Sequence, residues 1–99
     1  MTLRTIFAVV LAGAAPLAAA QDSASRNLAA PCAICHGSAG QAATPSVATL
    51  AGMPREHLAL QLRDFRDGKR PATVMHQIAK GYTDPQIDAL AAWFAAQKR

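Results

Sequence analysis

Apolar residues in the middle of the chain recur at the spacing of an amphipathic helix. Leu58, Leu62 and Phe65 lie three or four positions apart, as residues on one face of an α-helix do. Pro54 suits the start of this helix, because a first-turn residue needs no N–H donor. Gly68 suits its end. The pattern therefore predicts a helix from Pro54 with its apolar face directed towards a core.

A second amphipathic helix is predicted to begin at Thr83. The run Thr83-Asp84-Pro85-Gln86 has the spacing of a capping box, in which a threonine and a glutamine three positions apart satisfy each other's backbone N–H groups. Four apolar positions follow at helical spacing: Ile87, Leu90, Ala91 and Phe94. Trp93 lies to one side of this face.

The remaining segments predict shorter elements. We expect a short helix at about 25–33, with Leu28 as its main apolar residue, and a helical piece at about 73–80, ended by Gly81. Residues 37–53 are rich in small and turn-forming residues and show no sustained period, so they predict a loop. Because no segment alternates apolar and polar residues over a strand length, the predicted fold is all-α.

Residues 1–20 have the pattern of a secretory signal peptide. Arg4 precedes an apolar stretch from Ile6 to Leu17, and Ala18-Ala19-Ala20 forms a small-residue exit. The stretch is shorter than the roughly 20 residues that span a bilayer, which excludes a permanent membrane anchor. We therefore expect cleavage after Ala20, export to the periplasm, and one domain over residues 21–99.

A domain of this size needs a stabilising cross-link or cofactor, because it buries too little apolar surface alone. It contains two cysteines, three positions apart, and a disulfide across so short a loop constrains the unfolded chain very little. The net charge is +4, but aromatic residues make up only 5% of the chain. With an export signal as well, this composition excludes a nucleic-acid partner.

The cofactor is indicated by Cys32-Ala33-Ile34-Cys35-His36, a C-x-x-C-H motif. This pattern attaches haem covalently. Two thiols three positions apart can each add to one of the two haem vinyl groups, and the following histidine then lies beneath the ring. We predict one haem c, tethered by Cys32 and Cys35, with His36 as an axial ligand of the iron.

Other chemistries of this motif fit less well. A thiol-redox C-x-x-C lies near a βαβ pattern, and the sequence has none. A zinc site needs four ligands, which would be Cys32, Cys35, His36 and either His57 or His76. Adjacent Cys35 and His36 side chains would have difficulty reaching one small ion. A structural disulfide leaves the small core unexplained.

An electron-transfer haem needs a second axial ligand, and four residues could supply it: Met53, His57, Met75 and His76. Met53 lies only seventeen positions after His36. Met75 follows the middle helix, so the chain has room to cross the haem edge and reach the other face. We therefore favour Met75, with Met53 and a bis-histidine pair as alternatives.

These pieces resemble a class I cytochrome c over nearly all of residues 21–99. The similar segments are the C-x-x-C-H motif with Gly37, residues 50–52, 61–68 and 87–94. The resemblance implies a small all-α fold, with three to four helices around one covalent haem. It also implies that the first and last helices cross beside Trp93 and Phe94, and that Met75 ligates the iron.

Two details of the resemblance concern the site and the partner. Where family members often have a proline whose carbonyl accepts a hydrogen bond from the axial histidine, this chain has Ala48, so the partner of His36 is open. Residues 73–82 are similar to the methionine segment of the haem subunit of flavocytochrome c sulfide dehydrogenase. In that enzyme a separate flavoprotein subunit oxidises sulfide and passes electrons to the cytochrome.

The implied function is single-electron transfer by a chain without a catalytic site of its own. Its partners would be a flavoprotein subunit and a downstream electron acceptor. One alternative is a diffusible cytochrome serving an oxidase or reductase; another is a haem sensor or peroxidase, if Met75 is not a ligand. Five basic residues could form a docking face or a solvated helix surface: Arg55, Arg63, Arg66, Lys69 and Arg70.

Overall fold

The computed structural model describes residues 15–99, with side chains from Asp22 onward. Residues 1–14, most of the predicted signal peptide, lie outside the described part. The α-helices are α1 (Ala15–Ala29), α2 (Ala33–His36), α3 (Arg55–Arg66), α4 (Met75–Ala79) and α5 (Asp84–Ala95). Residues 15–99 contain no β-strand, which confirms the all-α prediction. No helix in this range is long and apolar enough to cross a membrane.

Helix α1 begins earlier than the predicted 25–33, and the expected cleavage position after Ala20 lies within it. It ends at Ala29, where a 3-10 turn over Ala30–Cys32 takes over. Pro31 in this turn has no N–H to donate to the preceding turn, so an α-helix cannot continue regularly through it. The tighter turn leads directly into α2, which carries Cys35 and His36.

Helix α3 follows its predicted position closely. Pro54 is the N-cap residue, and the helix begins one residue later, at Arg55. Leu58 and Ala59 are buried, and Leu62 packs partly buried against the same core. Phe65 differs from the prediction, because its ring lies beneath the guanidinium of Arg70, 5.4 Å from the ring centroid.

Helix α5 supplies most of the core. Its capping box is confirmed: Thr83 Oγ1 accepts from the Gln86 backbone N–H at 3.4 Å, and Gln86 Oε1 accepts from the Thr83 N–H at 2.9 Å. Helices α1 and α3 both pack against α5. Seven buried residues form this core: Ala29, Leu58, Ala59, Ile87, Leu90, Ala91 and Phe94.

Two arginines of the basic cluster bridge α3 to α5. Arg63 donates to Asp88 at 2.7 Å and to Asp84 at 3.3 Å. Arg66 donates to the same Asp84 oxygen at 2.6 Å. These exposed pairs stabilise the fold only modestly. They also neutralise two charges that a docking face would use. Arg55 pairs with Glu56 at 3.5 Å, which leaves Lys69 and Arg70 of the predicted cluster without an ion pair in the part of the chain that the structure describes.

Candidate haem-attachment site

The C-x-x-C-H motif lies where α1 gives way to α2. Cys32 ends the 3-10 turn and is half-buried against the core, whereas Cys35, on α2, is exposed. Burial raises the pKa of the Cys32 thiol. The two cysteines are not joined by a disulfide. Both thiols are therefore free, and they lie on one short helical segment with His36.

The imidazole of His36 is held by the main chain of the loop that follows it. Its Nδ1 atom lies 2.7 Å from the carbonyl oxygen of Ala48. A carbonyl oxygen can only accept, so Nδ1 carries the proton and Nε2 keeps its lone pair. Ala48 thus supplies the acceptor that the sequence left open, and the free Nε2 is the atom able to bind a metal.

The loop that carries Ala48 is closed on itself and packed on α5. The Gly40 carbonyl accepts from the N–H groups of Leu50 at 2.8 Å and Ala51 at 3.2 Å. Gly40 is buried with φ +78°, and a Cβ there would lie 2.8 Å from Phe94 Cδ1. Only glycine therefore fits this contact between loop and helix without a shift.

Three of the four candidates for a second axial ligand, Met53, His57 and Met75, have different environments. Met53 packs against the hydrophobic core. His57 is exposed and hydrogen-bonded to Gln61, one turn further along α3. Met75, the first residue of α4, is half-buried and does not join the core. Met75 is thus the candidate methionine without a packing role in that core.

Several features of the described chain fit a haem. Ile34 is 88% exposed and Val74 53% exposed, and these apolar side chains adjoin Cys35 and Met75 in sequence. His76 Nδ1 is buried and has no partner within the described residues. A buried ring nitrogen needs a polar partner, and the haem propionates are acceptors of that kind.

The neighbourhood of Cys32 also includes the segment that follows α4. Tyr82 is half-buried against the same core. Burial, with a smaller contribution from the charge of the nearby Cys32 thiolate, raises the pKa of its hydroxyl. The chain after Met75 therefore packs, through Tyr82, against the same core as Cys32. Among the described side chains, Asp22 onward, no three or more His, Cys, Asp or Glu residues are grouped so that they could hold a metal ion.

Comparison with curated proteins identifies the family. The thiosulfate dehydrogenase electron acceptor of Thiomonas intermedia is 39% identical over 99 residues, which cover 97% of this chain and 45% of that protein. The cytochrome subunit of sulfide dehydrogenase of Chlorobaculum tepidum is 36% identical over 73 residues, covering 74% of this chain and 66% of that subunit. Cytochrome c-554(548) of Halomonas halodenitrificans is 33% identical over 70 residues, covering 68% and 84%.

The chain belongs to the class I cytochrome c family. No protein-family model matches it. The cytochrome spans less than half the length of several relatives that it matches. Family membership confirms the predicted fold and the covalently bound haem c. Two residues that the sequence analysis did not single out also hold the loop after α2: Gln41 donates to the Lys98 carbonyl and Arg99 to the Ala51 carbonyl. No side-chain pattern indicates these contacts, because both acceptors are backbone carbonyls.

Proposed function

We propose that this cytochrome carries single electrons, with its iron cycling between Fe(II) and Fe(III). Thioether bonds from Cys32 and Cys35 hold the haem, and His36 Nε2 and the Met75 sulfur are the axial ligands. The observation that carries the proposal is the 2.7 Å hydrogen bond from His36 Nδ1 to the Ala48 carbonyl. It fixes the tautomer and the ring orientation that iron ligation by Nε2 requires.

The two ligands would act on the reduction potential in opposite directions. A hydrogen-bond acceptor at Nδ1 makes the imidazole a stronger donor, which favours the ferric state. A methionine thioether favours the ferrous state and raises the potential relative to a bis-histidine site. This pair suits a chain that receives electrons from a donor and passes them to a more oxidising acceptor.

The proposed electron donor is a dehydrogenase of an inorganic sulfur compound. The sequence resemblance favours a sulfide-oxidising flavoprotein subunit, and a relative named as the cytochrome subunit of sulfide dehydrogenase is 36% identical. A second candidate donor is a thiosulfate dehydrogenase, because a relative named as the electron acceptor of such an enzyme is 39% identical and matches 97% of the chain. In both cases a downstream protein takes the electron onward.

The proposed location is the periplasm. Residues 1–20 would direct export of the chain and would then be cleaved off. The charged start, the apolar stretch and the three alanines that precede residue 21 support an export signal. Attachment of haem to c-type cytochromes outside the cytoplasm agrees with this route. Amino-terminal sequencing of the purified holoprotein tests it, since a mature chain that begins at Gln21 is expected.

Optical spectra of the purified holoprotein test the axial ligands. The oxidised wild type should show the weak far-red band of methionine bound to ferric haem, and Met75→Ala should lose it. Met53→Ala is the matched control, since Met53 packs against the core, and this variant should keep the band at lower stability. If the wild type lacks the band and its reduced haem binds carbon monoxide, the proposal fails in favour of a sensor or peroxidase.

Reduction by candidate donors tests the partner. The oxidised holoprotein is mixed with a purified sulfide dehydrogenase flavoprotein and sulfide, and separately with a thiosulfate dehydrogenase and thiosulfate. Haem reduction that requires both enzyme and substrate supports the corresponding donor. Reduction by neither, with rapid oxidation by a terminal oxidase, would instead establish a diffusible carrier with another source of electrons.

A further inference from the structure

Two side chains tie the loop after α2 to the residues that follow α5. Gln41 Nε2 donates to the Lys98 carbonyl at 2.6 Å. Arg99 Nε donates to the Ala51 carbonyl at 3.3 Å. The first bond joins residues that are 57 positions apart in the sequence, and the second joins residues that are 48 positions apart. They are therefore long-range ties, made by polar side chains to main-chain acceptors.

The ties bracket the segment that holds the Ala48 carbonyl. Gln41 lies at one end of this segment and Ala51 at the other, where the Gly40 carbonyl also closes the loop. Between them the segment has no helix. Three hydrogen bonds lie within it: Thr49 Oγ1 accepts from the Ala42 N–H at 3.3 Å, the Thr44 carbonyl accepts from the Val47 N–H at 3.4 Å, and the Thr44 and Ser46 hydroxyls lie 2.9 Å apart. None of these bonds involves Ala48. The position of Ala48 thus depends on how its two ends are held.

A backbone bond gives the segment one further connection to α5. The Gly52 N–H donates to the Phe94 carbonyl at 2.9 Å. This bond lies on the side that Arg99 also braces. At the Gln41 end of the segment, the bond from the Gln41 side chain is the only hydrogen bond to the chain after α5 that the described residues show. Removal of the Gln41 amide should therefore loosen the loop more than removal of the Arg99 guanidinium.

We propose that Gln41 and Arg99 are positioning residues for the haem ligand His36. They hold residues 41–51 so that the Ala48 carbonyl stays within hydrogen-bond distance of Nδ1. The inference rests on the proposed function, in which His36 Nε2 binds the iron. When the loop loosens, the Nδ1–H bond weakens, the imidazole donates less strongly to ferric iron, and the reduction potential rises.

The test uses the holoprotein and five variants. Gln41→Ala and Arg99→Ala each remove one tie, and Gln41→Ala/Arg99→Ala removes both. Lys98→Ala is the matched control, because it removes the Lys98 side chain and leaves the carbonyl that accepts from Gln41. Arg99→Lys should lie between the wild type and Arg99→Ala, since an ammonium can still donate to the Ala51 carbonyl.

Two measurements report on His36 itself. The first is the reduction potential, which should become more positive in the order Arg99→Ala, Gln41→Ala, double variant. The second is the solvent-exchange rate of the His36 Nδ1 proton, followed by NMR in the diamagnetic reduced state. Loss of one hydrogen bond of ordinary net strength should speed this exchange by up to about tenfold in the double variant. Lys98→Ala should match the wild type in both.

The outcomes separate this inference from the proposed function. A wild type without the methionine band and without a ligated His36 signal refutes the proposed function. A wild type with both, in which the double variant unfolds more easily but keeps its potential and Nδ1 exchange rate, overturns only this inference. In that case the two ties stabilise the fold without positioning the ligand.

Discussion

The Nδ1 atom of His36 lies 2.7 Å from the carbonyl oxygen of Ala48, twelve residues further along the chain. The acceptor is a main-chain group, so the side chain at position 48 need not take part. This explains how alanine can stand where related cytochromes often have proline. What the position must supply is a correctly placed carbonyl, and the loop geometry provides it.

A proline at position 48 should therefore be tolerated. The Ala48 N–H makes no backbone hydrogen bond among the contacts that the structure describes. We expect Ala48→Pro to keep the haem spectrum and to change the unfolding free energy by less than about 1 kcal/mol. Ala51→Pro is the contrasting variant. It removes an N–H that donates to the Gly40 carbonyl, and loss of a buried bond should cost about 1–3 kcal/mol. Denaturant titration of both holoproteins measures the difference.

Gly40→Ala should be strongly destabilising. Its φ of +78° is left-handed, and the new Cβ would lie 2.8 Å from Phe94 Cδ1 and 3.0 Å from the Ala51 nitrogen. We expect about 1–2 kcal/mol from the backbone conformation and about 1–3 kcal/mol more from overpacking. The urea midpoint of the holoprotein measures this loss.

Gly68→Ala is the matched control for the glycine experiment. Gly68 has a similar φ of +74°, but a Cβ added there would have no neighbour within 4 Å. Only the cost of the left-handed backbone should appear in its urea midpoint. Equal losses in the two variants would mean that the contact between Gly40 and Phe94 contributes nothing.

The capping box of α5 should contribute measurably to stability. Thr83→Ala removes the Oγ1 acceptor of the Gln86 N–H, and loss of an N-cap side chain should lower the unfolding free energy by about 1 kcal/mol. Thr83→Ser keeps a hydroxyl and should stay close to the wild type. Urea denaturation followed by circular dichroism compares the three proteins, and an unchanged midpoint for Thr83→Ala would argue against this cap.

The bridge between α3 and α5 should make stability depend on pH. The hydrogen bond from Arg66, with further help from Arg63, lowers the pKa of Asp84 below its usual value. A carboxyl whose pKa is lower in the folded state stabilises the protein above its unfolded pKa of about 3.9 and loses that contribution as the pH falls. The stability difference between wild type and Asp84→Asn should therefore shrink as the pH drops below about 4.

Salt and a second variant control this measurement. Because Asp84 is exposed, added salt should also reduce the difference at neutral pH. Asp64→Asn makes the same change of charge on α3 at a side chain without an ion pair in the described residues. It should not reproduce the pH profile of Asp84→Asn. Unfolding free energies from pH 3 to pH 7 decide the point.

The sequence alone determined the local features of this cytochrome. The spacing of Leu58 and Leu62, and of Ile87, Leu90 and Phe94, marked the core faces of α3 and α5, because helical periodicity is a property of neighbouring residues. The cap at Thr83 was visible for the same reason. The C-x-x-C-H motif contains the chemistry of haem attachment within five consecutive positions.

The tertiary structure decided which distant groups meet. From the sequence, Arg63 and Arg66 could belong either to a docking face or to a solvated helix surface. In the folded protein, α3 packs on α5, and the two arginines pair with Asp88 and Asp84. The ties from Gln41 and Arg99, like the acceptor of His36, end on main-chain carbonyls. Every residue carries such a carbonyl, so no side-chain pattern reveals which one a folded loop will present. That choice depends on the path of the backbone, which is settled only when the helices pack.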